Sequence, residues 1–62
     1  MSTKHKGNGP FGIKIVYQNG DIVYMWNKDE SKRDSEYAYA LKSKATRVAA
    51  GVQNHQVTKV NR

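Results

Sequence analysis

Residues 13–26 read IKIVYQNGDIVYMW, and this stretch decides the fold. Two runs rich in β-branched and aromatic residues flank Asn19 and Gly20, a pair that suits a two-residue type I′ turn because both residues accept a positive φ. The pattern therefore predicts a β-hairpin with Gln18 opposite Asp21. Alternation of side chains then places six large residues on one face: Ile13, Ile15, Tyr17, Ile22, Tyr24 and Trp26. We expect this face to be buried.

The opposite face of the predicted hairpin is mixed in character, as is typical of a sheet with one side in water. It places three apolar residues beside a lysine: Lys14, Val16, Val23 and Met25. Ordinary β-propensity accounts for Val16 and Val23, and a patch that contacts a partner is the alternative interpretation. These four residues are candidates for partner binding on the open side of the sheet.

A helix is predicted to follow the hairpin. It should run from about Lys32 or Ser35 to Ala50 and end at Gly51, since glycine suits the position after a helix C-terminus. Residues 31–34 fit the capping pattern of a helix start. At 100° per residue, one stripe of this helix is apolar and should cover the buried face of the hairpin: Tyr37, Leu41, Ala45 and Val48.

The outward side of the predicted helix presents Tyr39 to water. An exposed tyrosine is a typical anchor in protein interfaces, although single exposed aromatic residues are also common. With its neighbours, Tyr39 makes this side of the helix a second candidate surface for partner binding: Tyr39, Lys42, Ser43, Thr46 and Arg47.

The last residues complete the predicted sheet. Residues 55–60 indicate a third strand beside the first hairpin strand, because a two-stranded sheet is seldom stable alone. A right-handed crossover through the helix places this strand antiparallel to the first. The predicted fold class is therefore α+β: a ββαβ chain whose three-stranded antiparallel sheet has the order 2-1-3, with one helix packed on one face. Residues 11–62 form this single domain. Residues 1–10, MSTKHKGNGP, are expected to be a flexible basic arm, since they have almost no apolar side chain to bury.

The composition argues against an enzyme or a metal protein. The 62 residues include no cysteine and two histidines, too few ligands for a zinc site. No nucleophile has a base and an orienting group beside it in a recognisable pattern, and we interpret His55 as a surface or edge residue. We therefore predict no catalytic residue, no metal and no cofactor. The absence of a secretion signal and of an apolar span predicts a cytoplasmic protein without a membrane partner.

The charge is strongly uneven. The net charge is +6, and all five acidic residues lie between positions 21 and 36. Basic ends favour polyanions or acidic protein surfaces, although small proteins are often basic for solubility alone. The candidates for phosphate contact are the basic residues of the arm, helix and tail: Lys4, Lys6, Lys42, Lys44, Arg47, Lys59 and Arg62. Lys42 and Arg47 point about 140° apart around the helix, so these residues do not form one stripe.

The layout resembles the small α+β proteins that phages make to disable host machinery, of which the T7-type inhibitors of host RNA polymerase are the nearest family. The resemblance rests on the size, on a hairpin followed by one helix, and on a terminal strand that reads VTKV at residues 57–60. It implies an inhibitor or regulator of host machinery, such as transcription, that acts in the host cytoplasm.

Taken together, these features favour a non-enzymatic, small basic binding module that docks on a larger macromolecule. The preferred partner is a larger protein with an acidic surface. Direct nucleic-acid binding through the basic helix and tail is the alternative. A homodimer that pairs through the open sheet face or an exposed edge strand is a third possibility.

Overall fold

The computed structural model describes residues 2–49 and 55–62, with side chains for residues 2–46 and 55–62. Within these residues the chain forms four strands and one helix: β1 (Thr3–Gly7), β2 (Phe11–Tyr17), β3 (Ile22–Asn27), α1 (Glu30–Ala49) and β4 (His55–Asn61). The strands make one mixed sheet in the order β1-β3-β2-β4. The helix α1 contacts β2, β3 and β4. It covers one face of the sheet, and no described element covers the other.

The chain is α+β, but the predicted three-stranded antiparallel sheet of order 2-1-3 is wrong. The sheet gains a strand from the segment expected to be a flexible arm, because Thr3–Gly7 pairs with β3 in parallel. All five residues of β1 are exposed, so β1 owes its place to main-chain hydrogen bonds rather than to apolar burial. Main-chain hydrogen bonds do not depend on the hydropathy of the side chains. A search of the sequence for segments that bury apolar side chains therefore misses β1.

Ser2 and Asp21 fasten the start of β1 to the hairpin. The Ser2 backbone N–H donates to Asp21 Oδ1 at 3.0 Å, and its hydroxyl donates to the same oxygen at 3.3 Å. The carbonyl of Ser2 accepts from the N–H of Ile22 at 2.8 Å. These bonds join the first described residue to the beginning of β3 and set the register of the parallel pair.

The hairpin turn between β2 and β3 is one residue longer than predicted. The N–H of Gly20 donates to the carbonyl of Tyr17 at 3.0 Å, and the N–H of Tyr17 donates to the carbonyl of Asp21 at 2.8 Å. This is the pattern of a type I turn followed by a residue in the left-handed region. Gly20 takes that position with a φ of 96°. The Asn-Gly pair thus marks the turn, but it occupies later positions than a two-residue turn requires.

The longer turn changes which side chains share a face. Ile15 pairs with Val23 and Ile13 with Met25, whereas a two-residue turn would have paired Ile15 with Tyr24. A slip of one residue moves every side chain of one strand to the other face. The predicted buried face is therefore wrong for β3. Of the four residues predicted for the open side of the sheet, Lys14 and Val16 lie there, and Val23 and Met25 lie on the side of α1.

The helix begins earlier than predicted. Asp29 caps it: its Oδ1 accepts from the N–H of Ser31 at 2.8 Å, and its carbonyl accepts from the N–H of Arg33 at 3.1 Å. An aspartate at this position satisfies amides that have no partner within the helix. The capping pattern at residues 31–34 is not the one used. The predicted end at Ala50 and Gly51 lies outside the described residues.

The helix packs on the sheet through polar groups more than through the predicted apolar stripe. Leu41 is 39% exposed, so it does not cover the sheet. The side chain of Val48 lies outside the described residues. Of the predicted stripe, Tyr37 is half-buried and Ala45 is exposed; the other inward positions are Arg33, Glu36, Ala40 and Ser43. Glu36 Oε1 accepts from Asn27 Nδ2 at 3.0 Å, which joins the middle of α1 to the end of β3.

Arg33 anchors the first turn of α1. It is only 5% exposed, and its Nη1 donates to the carbonyls of Gly12 and Val60 at 3.3 and 2.9 Å and to Asn61 Oδ1 at 2.9 Å. Its Nε donates to Asp34 Oδ1 at 2.8 Å. A buried guanidinium is tolerated when its donors are satisfied in this way. One arginine thus connects α1 to β2 and β4.

A candidate binding face on the open side of the sheet

The face of the sheet opposite α1, called here the open face, draws residues from all four strands. The strand registers place alternate residues on it: Thr3, His5, Gly12, Lys14, Val16, Ile22, Tyr24, Trp26, Gln56, Thr58 and Val60. Arg62 follows β4 and reaches over Trp26. The open face therefore combines aromatic, aliphatic and basic side chains.

Three aromatic side chains on the open face, His5, Tyr24 and Trp26, form what we call the ring cluster. The ring centroids of His5 and Tyr24 are 4.7 Å apart, and those of Tyr24 and Trp26 are 5.7 Å apart. All three rings are parallel within 4°. Parallel, offset rings at these separations attract each other. The parallel pairing of β1 and β3 creates the cluster, because it sets His5 directly beside Tyr24.

A hydrogen bond locks two members of the ring cluster together. Trp26 Nε1–H donates to His5 Nδ1 at 3.1 Å. The indole N–H and the imidazole lone pair both lie in their ring planes, so these two rings meet edge to edge. Since Nδ1 accepts, the neutral imidazole carries its proton on Nε2. His5 therefore has a defined tautomer, with its second nitrogen left as a donor.

Trp26 is held from two sides although it lies on the open face. Its six-membered ring lies against Gly12, where a Cβ would overlap Cε3 and Cζ3. The guanidinium of Arg62 stacks on the indole, 4.1 Å from the ring centroid, and the Arg62 N–H donates to the carbonyl of Pro10 at 2.9 Å. Only 8% of Trp26 is exposed as a result.

The open face has no acidic residue among the described side chains. Lys14 Nζ lies 6.0 Å from the centroid of the Tyr24 ring, and Arg62 adds a second cation. The acids lie elsewhere: Asp21 at the hairpin turn, and Asp29, Glu30, Asp34 and Glu36 at the start of α1.

The pKa of Asp21 is lowered, chiefly by the hydrogen bond from the Ser2 backbone N–H and then by that from the Asn19 side chain.

The residues predicted to bind a partner from the helix lie on the far side of the molecule from the open face. Tyr39 is 73% exposed, and a groove of about 410 Å³ is lined by Tyr39, Lys42, Ser43 and Thr46. The side chain of Arg47 lies outside the described residues. The structure thus separates the two predicted partner-binding groups, since Lys14 and Val16 belong to the open face.

The predicted phosphate contacts are also separated. Lys4 and Lys6 project from β1 on the side of α1, and Lys42 and Lys44 lie on α1 itself. Lys59 lies on the same side, 5.3 Å from the Tyr37 ring centroid and 3.9 Å from Asp34 Oδ1. Of the six whose side chains are described, only Arg62 joins the open face.

The ring cluster is the part of the site that sequence reasoning missed. The predicted register places Tyr24 and Trp26 in the core, and the predicted flexible arm includes His5. One signal was available: Gly12 interrupts a run of strand-forming residues, and a glycine inside a strand often marks the close approach of another group. Here the approaching group is the Trp26 indole.

A second cleft lies between α1 and the sheet. Its volume is about 510 Å³, and its lining is mostly apolar, with Ser35, Glu36, Ser43 and His55 as polar members. Tyr39 and Ser43 border both this cleft and the groove on the helix. His55 is an edge-strand residue, but it is 9% exposed rather than on the surface, with its ring centroid 5.7 Å from that of Tyr17. No three His, Asp or Glu side chains within residues 2–46 and 55–62 cluster in a way that could hold a metal ion.

No helix in the described part of the chain combines the length and apolar composition needed to cross a membrane. Comparison of the chain with models of protein families, with curated proteins and with solved structures finds no match.

Proposed function

We propose that the protein is a non-enzymatic binding module that binds nucleic acid on its open face. The observation that carries this proposal is the distribution of charge. Lys14 and Arg62 lie on the open face with no acidic side chain among its described residues, in a chain of net charge +6. A cationic surface without acids attracts polyanions over a distance and neutralises phosphates on contact.

The two cations of the open face are available to a ligand. In the described part of the chain, neither Lys14 nor Arg62 takes part in a salt bridge, whereas Arg33 and Lys59 on the other side of the sheet are paired with carboxylates. Each open-face cation instead lies near an aromatic ring. A phosphate can therefore bind Lys14 or Arg62 without first displacing an acidic side chain.

Binding of a fluorescently labelled oligonucleotide, followed by anisotropy at several salt concentrations, tests the proposal. We expect the logarithm of the affinity to fall linearly with the logarithm of the salt concentration. The double variant Lys14→Ala with Arg62→Ala should reduce the magnitude of that slope by roughly two phosphate contacts. The matched control is Lys28→Ala with Lys32→Ala, which removes the same charge from exposed residues outside the open face.

The control should leave most of the slope in place. An equal reduction of the salt slope in the two double variants would show that net charge alone drives binding and would contradict an open-face site. An affinity that does not change with salt would contradict nucleic-acid binding altogether.

A second candidate function is docking on a protein through the outer side of α1. Tyr39 and Leu41 are the exposed large apolar residues of the described chain, and Tyr39 borders the groove described above. Such docking is what the resemblance to phage inhibitors implies: a regulator that binds an acidic surface of a host protein in the host cytoplasm. Capture of one protein from a nuclease-treated lysate, weakened by Tyr39→Ala, would support it. Loss of every partner after nuclease treatment would support the open-face proposal instead.

A further inference from the structure

We infer that the nucleic acid on the open face is single-stranded and that its unpaired bases stack on the ring cluster. This inference rests on the proposed function and names the class of ligand. It is carried by the parallel rings of His5, Tyr24 and Trp26, which a simple phosphate-binding surface does not need.

The ring cluster exposes part of a stack of parallel rings to solvent. His5 is exposed and Tyr24 is half-buried, and their rings are parallel within 4°. In a duplex the faces of the bases are covered by neighbouring base pairs, so only unpaired bases can lie on such rings. Every base has an aromatic face, and stacking of this kind tolerates different sequences. The geometry therefore favours single strands without strong sequence preference.

The ring cluster is already ordered before a ligand binds. The hydrogen bond from Trp26 to His5 joins β1 to β3, and Gly12 leaves room for the indole to lie against β2. Side chains that are held in place lose less conformational entropy on binding. The three rings are thus presented by two adjacent strands of a sheet rather than by mobile loops.

Each large ring of β3 has a cation beside it. Lys14 Nζ is 6.0 Å from the Tyr24 centroid, and the Arg62 guanidinium is 4.1 Å from the Trp26 centroid. Guanidinium planes both stack on bases and pair with phosphates. Tyr24 and Trp26 are two residues apart along β3, and their ring centroids are 5.7 Å apart. Trp26 is 8% exposed beneath the Arg62 guanidinium, so His5 and Tyr24 are the rings that a base can reach. Lys14 and Arg62 can neutralise the phosphates beside it.

The probe for the test is oligothymidine of about a dozen nucleotides, compared with a blunt duplex of the same length. We expect the single strand to bind at least about tenfold more tightly. Trp26 is the one tryptophan of the chain, so its intrinsic fluorescence should change when oligothymidine binds. A polyphosphate of similar charge, which has no bases, should compete weakly.

Tyr24→Leu separates stacking from folding, because leucine keeps an apolar side chain on the sheet but offers no ring. We expect it to weaken oligothymidine binding by at least about fivefold, the lower end of the cost of one lost base–aromatic stack. The matched control is Tyr37→Leu, which removes another half-buried tyrosine beside a lysine, on the opposite side of the sheet. Urea denaturation of both variants checks that they remain folded.

The outcomes distinguish the inference from the proposed function. Equal binding of the single strand and the duplex, with no effect of Tyr24→Leu, would overturn the inference and leave nucleic-acid binding in place. Failure to bind either form at low salt would overturn both. Preferential binding of the single strand that depends on Tyr24 and not on Tyr37 would support both.

Discussion

The indole N–H of Trp26 donates a hydrogen bond to Nδ1 of His5, 3.1 Å away on the neighbouring parallel strand. This bond connects a buried residue of the hairpin to an exposed residue of the edge strand. It gives β1 a side-chain contact that its own composition does not suggest. The same bond completes the ring cluster, so the fold of the first residues and the candidate binding face depend on each other.

Loss of the acceptor at position 5 should weaken the attachment of β1. His5→Phe keeps an aromatic ring beside Tyr24 but cannot accept from the indole N–H of Trp26. We expect the emission of Trp26 to shift and the amides of β1 to lose protection against hydrogen exchange. Thr3→Val is the control, because it changes another exposed side chain of β1 and leaves this hydrogen bond in place; equal effects of the two variants would contradict the role of the bond.

Asp21 should make the attachment of β1 sensitive to stronger acid. Its pKa is lowered by the hydrogen bonds from Ser2 and Asn19, so the carboxylate stabilises the folded state above the ordinary aspartate value. That contribution is lost as the pH falls below about 4 and through the lower folded-state pKa. The protection factors of the Ser2 and Ile22 amides, which are corrected for the intrinsic pH dependence of hydrogen exchange, should therefore fall in acid. Asp21→Asn should show lower protection factors already at neutral pH and respond less to acid; an unchanged acid response would argue against this role.

Arg33 should be a major contributor to stability. Replacement by alanine removes donors to the carbonyls of Gly12 and Val60 and leaves these groups without that partner. We expect Arg33→Ala to lower the free energy of unfolding by about 2–4 kcal/mol, measured by urea denaturation. Lys32→Ala, at an exposed position of the same helical turn, should change it by less than about 0.5 kcal/mol. Similar small effects for both variants would contradict the anchoring role.

Gly12→Ala should disturb the ring cluster. The new methyl group would overlap the six-membered ring of Trp26, and inserting atoms into a packed site typically costs about 1–3 kcal/mol. We expect lower stability and altered Trp26 emission. A double-mutant cycle with Trp26→Leu isolates the cause, because the smaller side chain should relieve the overlap. If Gly12→Ala lowers the free energy of unfolding as much in the Trp26→Leu variant as in the unaltered chain, the loss of stability arises from the backbone and not from the indole.

Local sequence signals predicted the elements whose causes are local. The alternation around Asn19 and Gly20 predicted the hairpin, and the helical segment and the exposure of Tyr39 are both observed. The predicted helix start is too late, because several polar residues of this segment suit a cap equally well and Asp29 is the one used. The candidate site was predicted only in part: Lys14, Val16 and Arg62 belong to the open face, whereas the ring cluster was not found.

By itself, the sequence determined where β2, β3, β4 and the body of α1 form, because β-propensity and turn residues act within a few positions. Only the tertiary structure decided the rest. One additional residue in the turn at Gly20 moved Tyr24 and Trp26 to the open face, because strand side chains alternate with a period of two. Main-chain pairing of β1 with β3 brought His5 beside Tyr24 and Trp26, and the hydropathy of the sequence does not indicate such pairing. The open face is therefore a product of register and strand order.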